Sequence, residues 1–302
     1  MKSPFKCLNV ERNFLGLSRE FSEFDSSKII IVSAPFSRST TEETETKKAP
    51  QAILRASHLV QIFDEETKRE VAKEIGIATL QPLNVGSTNE ESSLQTIHET
   101  VLSLISLNKF VVTLGGDNTI TSAVTAAFAK KIDNLSILQF DAHSDLQDHR
   151  RSGKRGDAGV MAKVCEFLDP SKLVQVGVRS QNKEEAEFTR DNNVHLFYAH
   201  EIHGGTHTRL LKYWDDAVVD HLSDNVYVTF DVDVFDPSIM PSTPAPEPGG
   251  LSWYEVMRCL KKVGQKRTIV GFDVVEFAPM KSLHSPDLIV AKLISKMINY
   301  AL

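Results

Sequence analysis

Gln139 to Gln147 reads QFDAHSDLQ, and it follows directly on the apolar run Leu135, Ile137, Leu138 and Phe140. Burying an ionised group without a partner costs several kcal/mol, so a chain does not drive Asp141, His143 and Asp145 out of a buried strand for nothing. The stretch reads as a strand that ends at a cation. Further short apolar or β-branched runs share its character: IIIVS (29–33), FVVTL (110–114), LVQVGV (173–178), VYVTFDV (226–232) and IVGFDVV (269–275). Helical-period segments such as Glu90 to Leu107 and Trp253 to Val263 separate them. Continuous apolar strands alternating with helices predict a doubly wound α/β fold, its parallel sheet covered on both faces.

In such sheets the functional groups lie just past the carboxyl ends of the strands. Four exits carry unusual chemistry: GGDNT (115–119), DAHSD (141–145), DVDVFDP (231–237) and VEF (275–277). Residues i and i+2 on a strand share a face, so Asp231 and Asp233 are expected to point the same way, with Asp141, His143 and Asp145 converging beside them. A lone D-x-D is more often a strand-end cap or a pair of solvated acids. Two such motifs, each after an apolar run, point instead to a metal. Carboxylate oxygens with one imidazole suit Mn²⁺ better than a thiolate-seeking ion, and the acids are numerous enough to bridge two ions. Two ions about 3.5 Å apart make a hydroxide nucleophile near neutral pH.

Composition limits the alternatives. With 302 residues, 41% hydrophobic and 25% charged, the chain reads as an ordinary globular protein, expected to form one domain over 1–302 with its motif-bearing core from about 28. A formal net charge of −6 leaves no footprint for nucleic acid or an anionic membrane. Cys7, Cys165 and Cys259 are an odd number at wide spacing, which indicates neither a disulfide framework nor a zinc ribbon. The first twenty residues lack a continuous apolar core and no window approaches a membrane span, so a reduced, cytoplasmic setting is expected. Ser37–Pro50 is polar and is expected to be a mobile loop, and the Pro-rich stretch Pro241 to Gly250 a constrained one.

The ordered motifs resemble those of the ureohydrolase family, the arginases and agmatinases, from about Lys28 to the C-terminus. That family pairs a GGDH turn, a DAHxD strand exit, a DxDxxDPxxxPGTGTPxxGGL segment and a late VE dipeptide. This chain has GGDN, DAHSD, DVDVFDPSIMPSTPAPEPGGL and VEF in the same order. GVRS (177–180) and EPGGLSWYE (247–255) are similar to the agmatinase branch. The resemblance implies a three-layer α/β/α fold, a binuclear Mn²⁺ site and a homo-oligomer, trimer or hexamer. By position, Asp141 and Asp231 would bridge the ions, and His143 and Asp233 would complete one shell. Asp145 would complete the other and hold the bridging hydroxide. Glu276 matches the glutamate that pairs with the substrate's guanidinium, and hydrolysis of an agmatine-like guanidino compound would release urea and an amine.

Three positions depart from the family. Asn118 stands where a histidine ligand is usual, and a neutral amide oxygen is a poorer donor, so that ion should bind more weakly. Asp157, in RGDAGVM, stands where agmatinases carry a proton-shuttling histidine, and a carboxyl with an ordinary pKa near 4 is a poor acid at pH 7. Ala245 lies in the segment where the family has GTGTP. His200, His203 and His207 resemble a helix-spaced metal set, but Gly204-Gly205 interrupt it and a solvated helix end is the simpler reading. The expected partner is a small cationic guanidino or formimino substrate. A formiminoglutamate-type hydrolase, or an impaired relative acting as a binding or regulatory protein, are the alternatives.

Overall fold

The computed structural model describes residues 5–38, 45–85, 89–147, 159–204 and 213–302. Eight strands form one parallel sheet: β1 (Ile29–Ala34), β2 (Ile77–Thr79), β3 (Phe110–Gly115), β4 (Leu135–Phe140), β5 (Leu173–Val178), β6 (His195–Tyr198), β7 (Asn225–Asp231) and β8 (Thr268–Val275). Their order is β2-β1-β3-β8-β7-β4-β5-β6. Every strand run read from the sequence is present to within a residue or so at its ends. The edge strands β2 and β6 were not anticipated.

Alternation along each strand decides which helices cover which face. Ile29 and Ile31 join one core and Ile30 and Val32 the other. Helices of eight residues or more are numbered here. The first core is closed by α1 (Ala49–Ser57), α5 (Trp214–His221), α6 (Trp253–Lys266) and α7 (Ser285–Ala301). The second is closed by α2 (Glu90–Ser106) and α3 (Ile120–Ala129), with α4 (Lys183–Asp191) at its margin through Phe188. The result is a three-layer α/β/α architecture. Local chemistry starts the helices where they start. Asn89 caps α2 by accepting Ser92 N–H at 2.8 Å, while Asn182 with Glu185 and Ser252 with Glu255 form capping boxes on α4 and α6.

The segment expected to be a loop differs from its reading. Glu45–Lys48 is a 3₁₀ turn leading into α1, whose Pro50 occupies the first turn where its missing N–H costs nothing. Residues 39–44 lie outside the described residues. Among those described, no helix is long and apolar enough to cross a membrane.

The four strands that carry the motifs, β3, β8, β7 and β4, are consecutive neighbours at the centre of the sheet. One to three residues before the strand ends, Thr113, Asp273, Thr229, Gln139 and Gln175 pair in register across five strands, all of them buried. This polar row shares its face of β4 and β7 with Asp141 and Asp231, two residues further on.

Candidate metal centre

Asp141 leaves the end of β4 with both carboxylate oxygens committed. Oδ1 accepts the His143 N–H at 2.6 Å and Oδ2 accepts Gln139 Nε2 at 2.7 Å. His143 folds back over it, its Nδ1 2.9 Å from Asp233 Oδ2 and 3.5 Å from Asp141 Oδ1. Each of Asp141, His143 and Asp233 thus offers a donor atom within 4.8 Å of the others.

The i, i+2 spacing predicts that Asp231 and Asp233 share a strand face, and the structure differs. The strand ends at Asp231, and Val232–Val234 form a 3₁₀ turn that Asp231 caps by accepting Asp233 N–H at 2.9 Å. The turn swings Asp233 toward β4, where its Oδ1 accepts the Ala142 N–H at 2.8 Å. Arg179, just past β5, pins this turn. Its guanidinium donates to the carbonyls of Gly177, Asp233, Val234, Phe235 and Glu247, the shortest contact being 2.6 Å to Asp233 O.

Asp145 and Glu276 complete the acidic floor, both in left-handed backbone conformations, with φ of 53° and 59°. Such angles cost a non-glycine residue of order 1 kcal/mol and concentrate at functional sites. Asn118 joins the two acids. Its Nδ2 donates to Asp145 Oδ2 at 2.6 Å and its backbone N–H to Glu276 Oε1 at 2.7 Å. Gly116 lets the turn before Asn118 pack against Phe36, because a Cβ there would lie 1.9 Å from Phe36 O.

The electrostatics follow from crowding. Burial, then the neighbouring charges of Asp233 and Asp145, raise the Asp141 carboxyl well above the carboxylate range. Asp231 is raised for the same reasons, by burial and then by Asp233, Asp141 and Glu276. Burial lifts Asp145 to about 7, with Asp233 and Glu185 adding to the shift and His143 opposing it. Glu276 is raised by burial and then by Asp117. Hydrogen bonds to Asp141 and Asp233 push His143 up to about 11. A site that holds several acids against ionisation while stabilising a nearby positive charge is one a divalent cation would relieve, and oxygen donors with one imidazole fit a hard ion.

Asp157 lies outside the described residues, as does His207. His203 Nε2 donates to Gly250 O at 2.9 Å, and its Nδ1 lies 3.4 Å from Glu255 Oε1. Four residues that sequence reasoning gave no role belong to the site: Gln139, Gln175, Arg179 and Glu247, whose Oε1 lies 4.0 Å from His143 Nε2. A glutamine two residues before Asp141, inside an otherwise apolar run, was the available signal for the first.

Comparison with known proteins agrees with this geometry. The model of the Arginase family matches residues 27–299. An N(1)-aminopropylagmatine ureohydrolase of Synechocystis is 28% identical over 305 residues, covering 99% of this chain and 97% of its own length. One of Thermus thermophilus is 30% identical over 276 residues, covering 91% of each. Among solved structures, the agmatine ureohydrolase of Thermoplasma volcanium superposes with a TM-score of 0.80 at 23% identity, over 99% of this chain and 95% of that one. Formimidoylglutamase of Bacillus subtilis gives 0.80 at 22% identity, over 99% and 93%, so likeness of fold spans several substrates. With the family's motifs at the ends of four adjacent central strands and its model matched over nearly the whole length, this chain belongs to the arginase family.

Proposed function

We propose that the protein is a Mn²⁺-dependent amidinohydrolase that cleaves a guanidino C–N bond of a small cationic, agmatine-like substrate, giving urea and an amine. The observation that carries this reading is the convergence of Asp141, His143 and Asp233 within 4.8 Å at the centre of the sheet's carboxyl edge, with Asp145 and Glu276 facing the same place. Relatives named for N(1)-aminopropylagmatine and agmatine support a guanidino substrate.

In this reading Asp141, His143, Asp231 and Asp233 would hold one ion, and Asp141, Asp231 and Asp145, beside Asn118, would hold the second. When bound, the pair supplies a Lewis acid and activates water for attack near neutral pH. The chain's own residues do the rest. Glu276 accepts the Asn118 N–H at Oε1, and its carboxylate would face the substrate's planar cation, a group well suited to paired hydrogen bonds. Asp145, which accepts from Asn118 Nδ2, would orient the attacking water. The buried floor keeps bulk water from competing for these contacts.

The test is urea or ammonia release from a panel of guanidino and formimino compounds in the presence of Mn²⁺. Wild type turns over at least one guanidino compound and Asp231→Ala loses that turnover. A wild type inert across the whole panel sinks the enzyme reading. A second reading, a relative with a weakened metal site that acts by binding, is favoured by one observation: Asn118 presents its amide nitrogen to Asp145 where the family's histidine would be a ligand. Ordinary turnover that disappears with chelator eliminates it.

A further inference from the structure

Behind Asp141 runs a chain of amides that packing does not require. Gln139 and Gln175 are buried on neighbouring strands, in register with each other. Gln139 shares its face of β4 with Leu135 and Ile137, both of which pack in an apolar core, so an aliphatic side chain would satisfy that position. Instead Gln139 Nε2 donates to Asp141 Oδ2 at 2.7 Å, Gln175 Nε2 donates to Gln139 Oε1 at 2.6 Å, and the same Gln175 nitrogen donates to Ser144 O at 2.7 Å.

The direction of this chain is set at its far end. Ser144 O is a backbone carbonyl and can only accept, so the Gln175 amide must turn its nitrogen toward it. That nitrogen then meets the oxygen of Gln139, which leaves the Gln139 nitrogen facing Asp141. Ser144 lies between His143 and Asp145, so the same amide that orients Asp141 also ties down the turn carrying both. Asp145, the next residue, is held at positive φ.

We infer that Gln175 and Gln139 form a positioning relay that sets the Asp141 carboxylate, and the turn bearing His143 and Asp145, in the geometry the metal requires. The inference rests on the metal reading proposed above. Partners of metal-ligating carboxylates orient them and typically change metal affinity by about 10–100-fold when removed. The relay acts through Asp141 and touches no substrate.

The experiment uses metal-free full-length protein titrated with Mn²⁺, the free ion being followed by its electron paramagnetic resonance signal, which needs no turnover. Methionine preserves the length of glutamine without the amide. Gln139→Met weakens Mn²⁺ binding about tenfold or more. Gln175→Met weakens it less, and its effect shrinks in the Gln139→Met background, because its path to the Asp141 carboxylate runs through Gln139 and only its hold on Ser144 O remains to be lost. Melting of the metal-free proteins, followed by circular dichroism, separates a packing role from a positioning one. A lowered melting temperature with unchanged Mn²⁺ affinity overturns the relay, and so do losses from the two substitutions that simply multiply. If Gln139→Met does not fold, Gln175→Met, one strand further from the acids, is read in the same way. A wild type that takes up no Mn²⁺ overturns the metal reading itself, and the relay with it.

Discussion

Asn118 Nδ2 lies 2.6 Å from Asp145 Oδ2 while the Asn118 backbone N–H reaches Glu276 Oε1 at 2.7 Å. One residue of the β3 exit therefore braces two acids that leave β4 and β8. An amide that donates to an acid proposed as a metal ligand competes with an ion for the same oxygen. A histidine in its place would offer a ring nitrogen as ligand, a stronger donor than an amide oxygen. After Mn²⁺ loading and desalting, wild type is expected to retain about one ion per chain and Asn118→His about two. Turnover of the wild type should then depend on added Mn²⁺. Elemental analysis decides it, and two ions retained by the wild type would show that Asn118 suffices.

Arg179 leads to a second expectation. Its guanidinium serves five carbonyls on three segments, among them Asp233 O and Glu247 O, and is the clamp that holds the 3₁₀ turn beside β4. Lysine carries the charge but lacks the planar fork and two of the five donors. Arg179→Lys should cost roughly 2–3 kcal/mol, the scale of leaving one or two part-buried carbonyls without donors. It should also weaken Mn²⁺ binding, because Asp233 follows its backbone. Chemical denaturation together with a Mn²⁺ titration checks both, and unchanged affinity would show that the turn holds its shape without the clamp.

What the sequence disclosed, and what it concealed, follows from these contacts. β1, β3, β4, β5, β7 and β8 are long apolar runs, buried throughout apart from the first residues of β7 and β8 and one position near the start of β8, so their composition alone marks them. β2 has three residues, and β6 is a half-buried HLFY at the opposite edge, both too short for a period to emerge. The acids were legible because charge at a strand exit needs a reason. Strand spacing does not give the direction of Asp233, because the side chain of Asp231 caps the turn that follows the strand, a competition that spacing does not reveal. The partners of Gln139 and Glu247 are brought near by register and by a loop more than a hundred residues downstream of His143, and the direction of the Asn118 amide depends on where Asp145 lies.

Lys296 ties α7 to the segment that carries Asp64, Glu65 and Glu66. It is almost wholly buried on α7, with Nζ 2.8 Å from Asp64, 2.9 Å from Glu65 and 2.9 Å from Glu66. Burial alone would lower its pKa, but the three carboxylates outweigh burial and raise it. Lys296→Met would leave the buried Asp64 without its cation, whereas the more exposed glutamates can turn to water. The expected loss is about 3 kcal/mol, the low end for breaking a buried pair. Mn²⁺ affinity should be unchanged, since none of these groups contacts the metal centre. Urea denaturation and the Mn²⁺ titration test the two halves separately.

Asp273 gives the stability of the protein a pH dependence of unusual sign. Its carboxyl is wholly buried in β8, where Thr229 Oγ1 donates at 2.7 Å and Tyr227 OH at 2.8 Å. Burial raises it to about 7 despite those donors. An unfolded aspartate titrates near 3.9, so between about pH 4 and 7 the folded chain binds a proton that the unfolded chain does not. Stability from this group is therefore greatest below about pH 4 and falls as pH rises toward 7, by at most ~1.4 kcal/mol per pH unit, then levels off. Asp273→Asn keeps the shape and one acceptor but cannot ionise. The difference in unfolding free energy between the metal-free variant and wild type should grow in the variant's favour from pH 5 to pH 7. Urea titrations at pH 5, 6 and 7 measure it. Parallel pH profiles would mean that Asp273 folds as an ordinary carboxylate, its hydrogen bonds outweighing its burial.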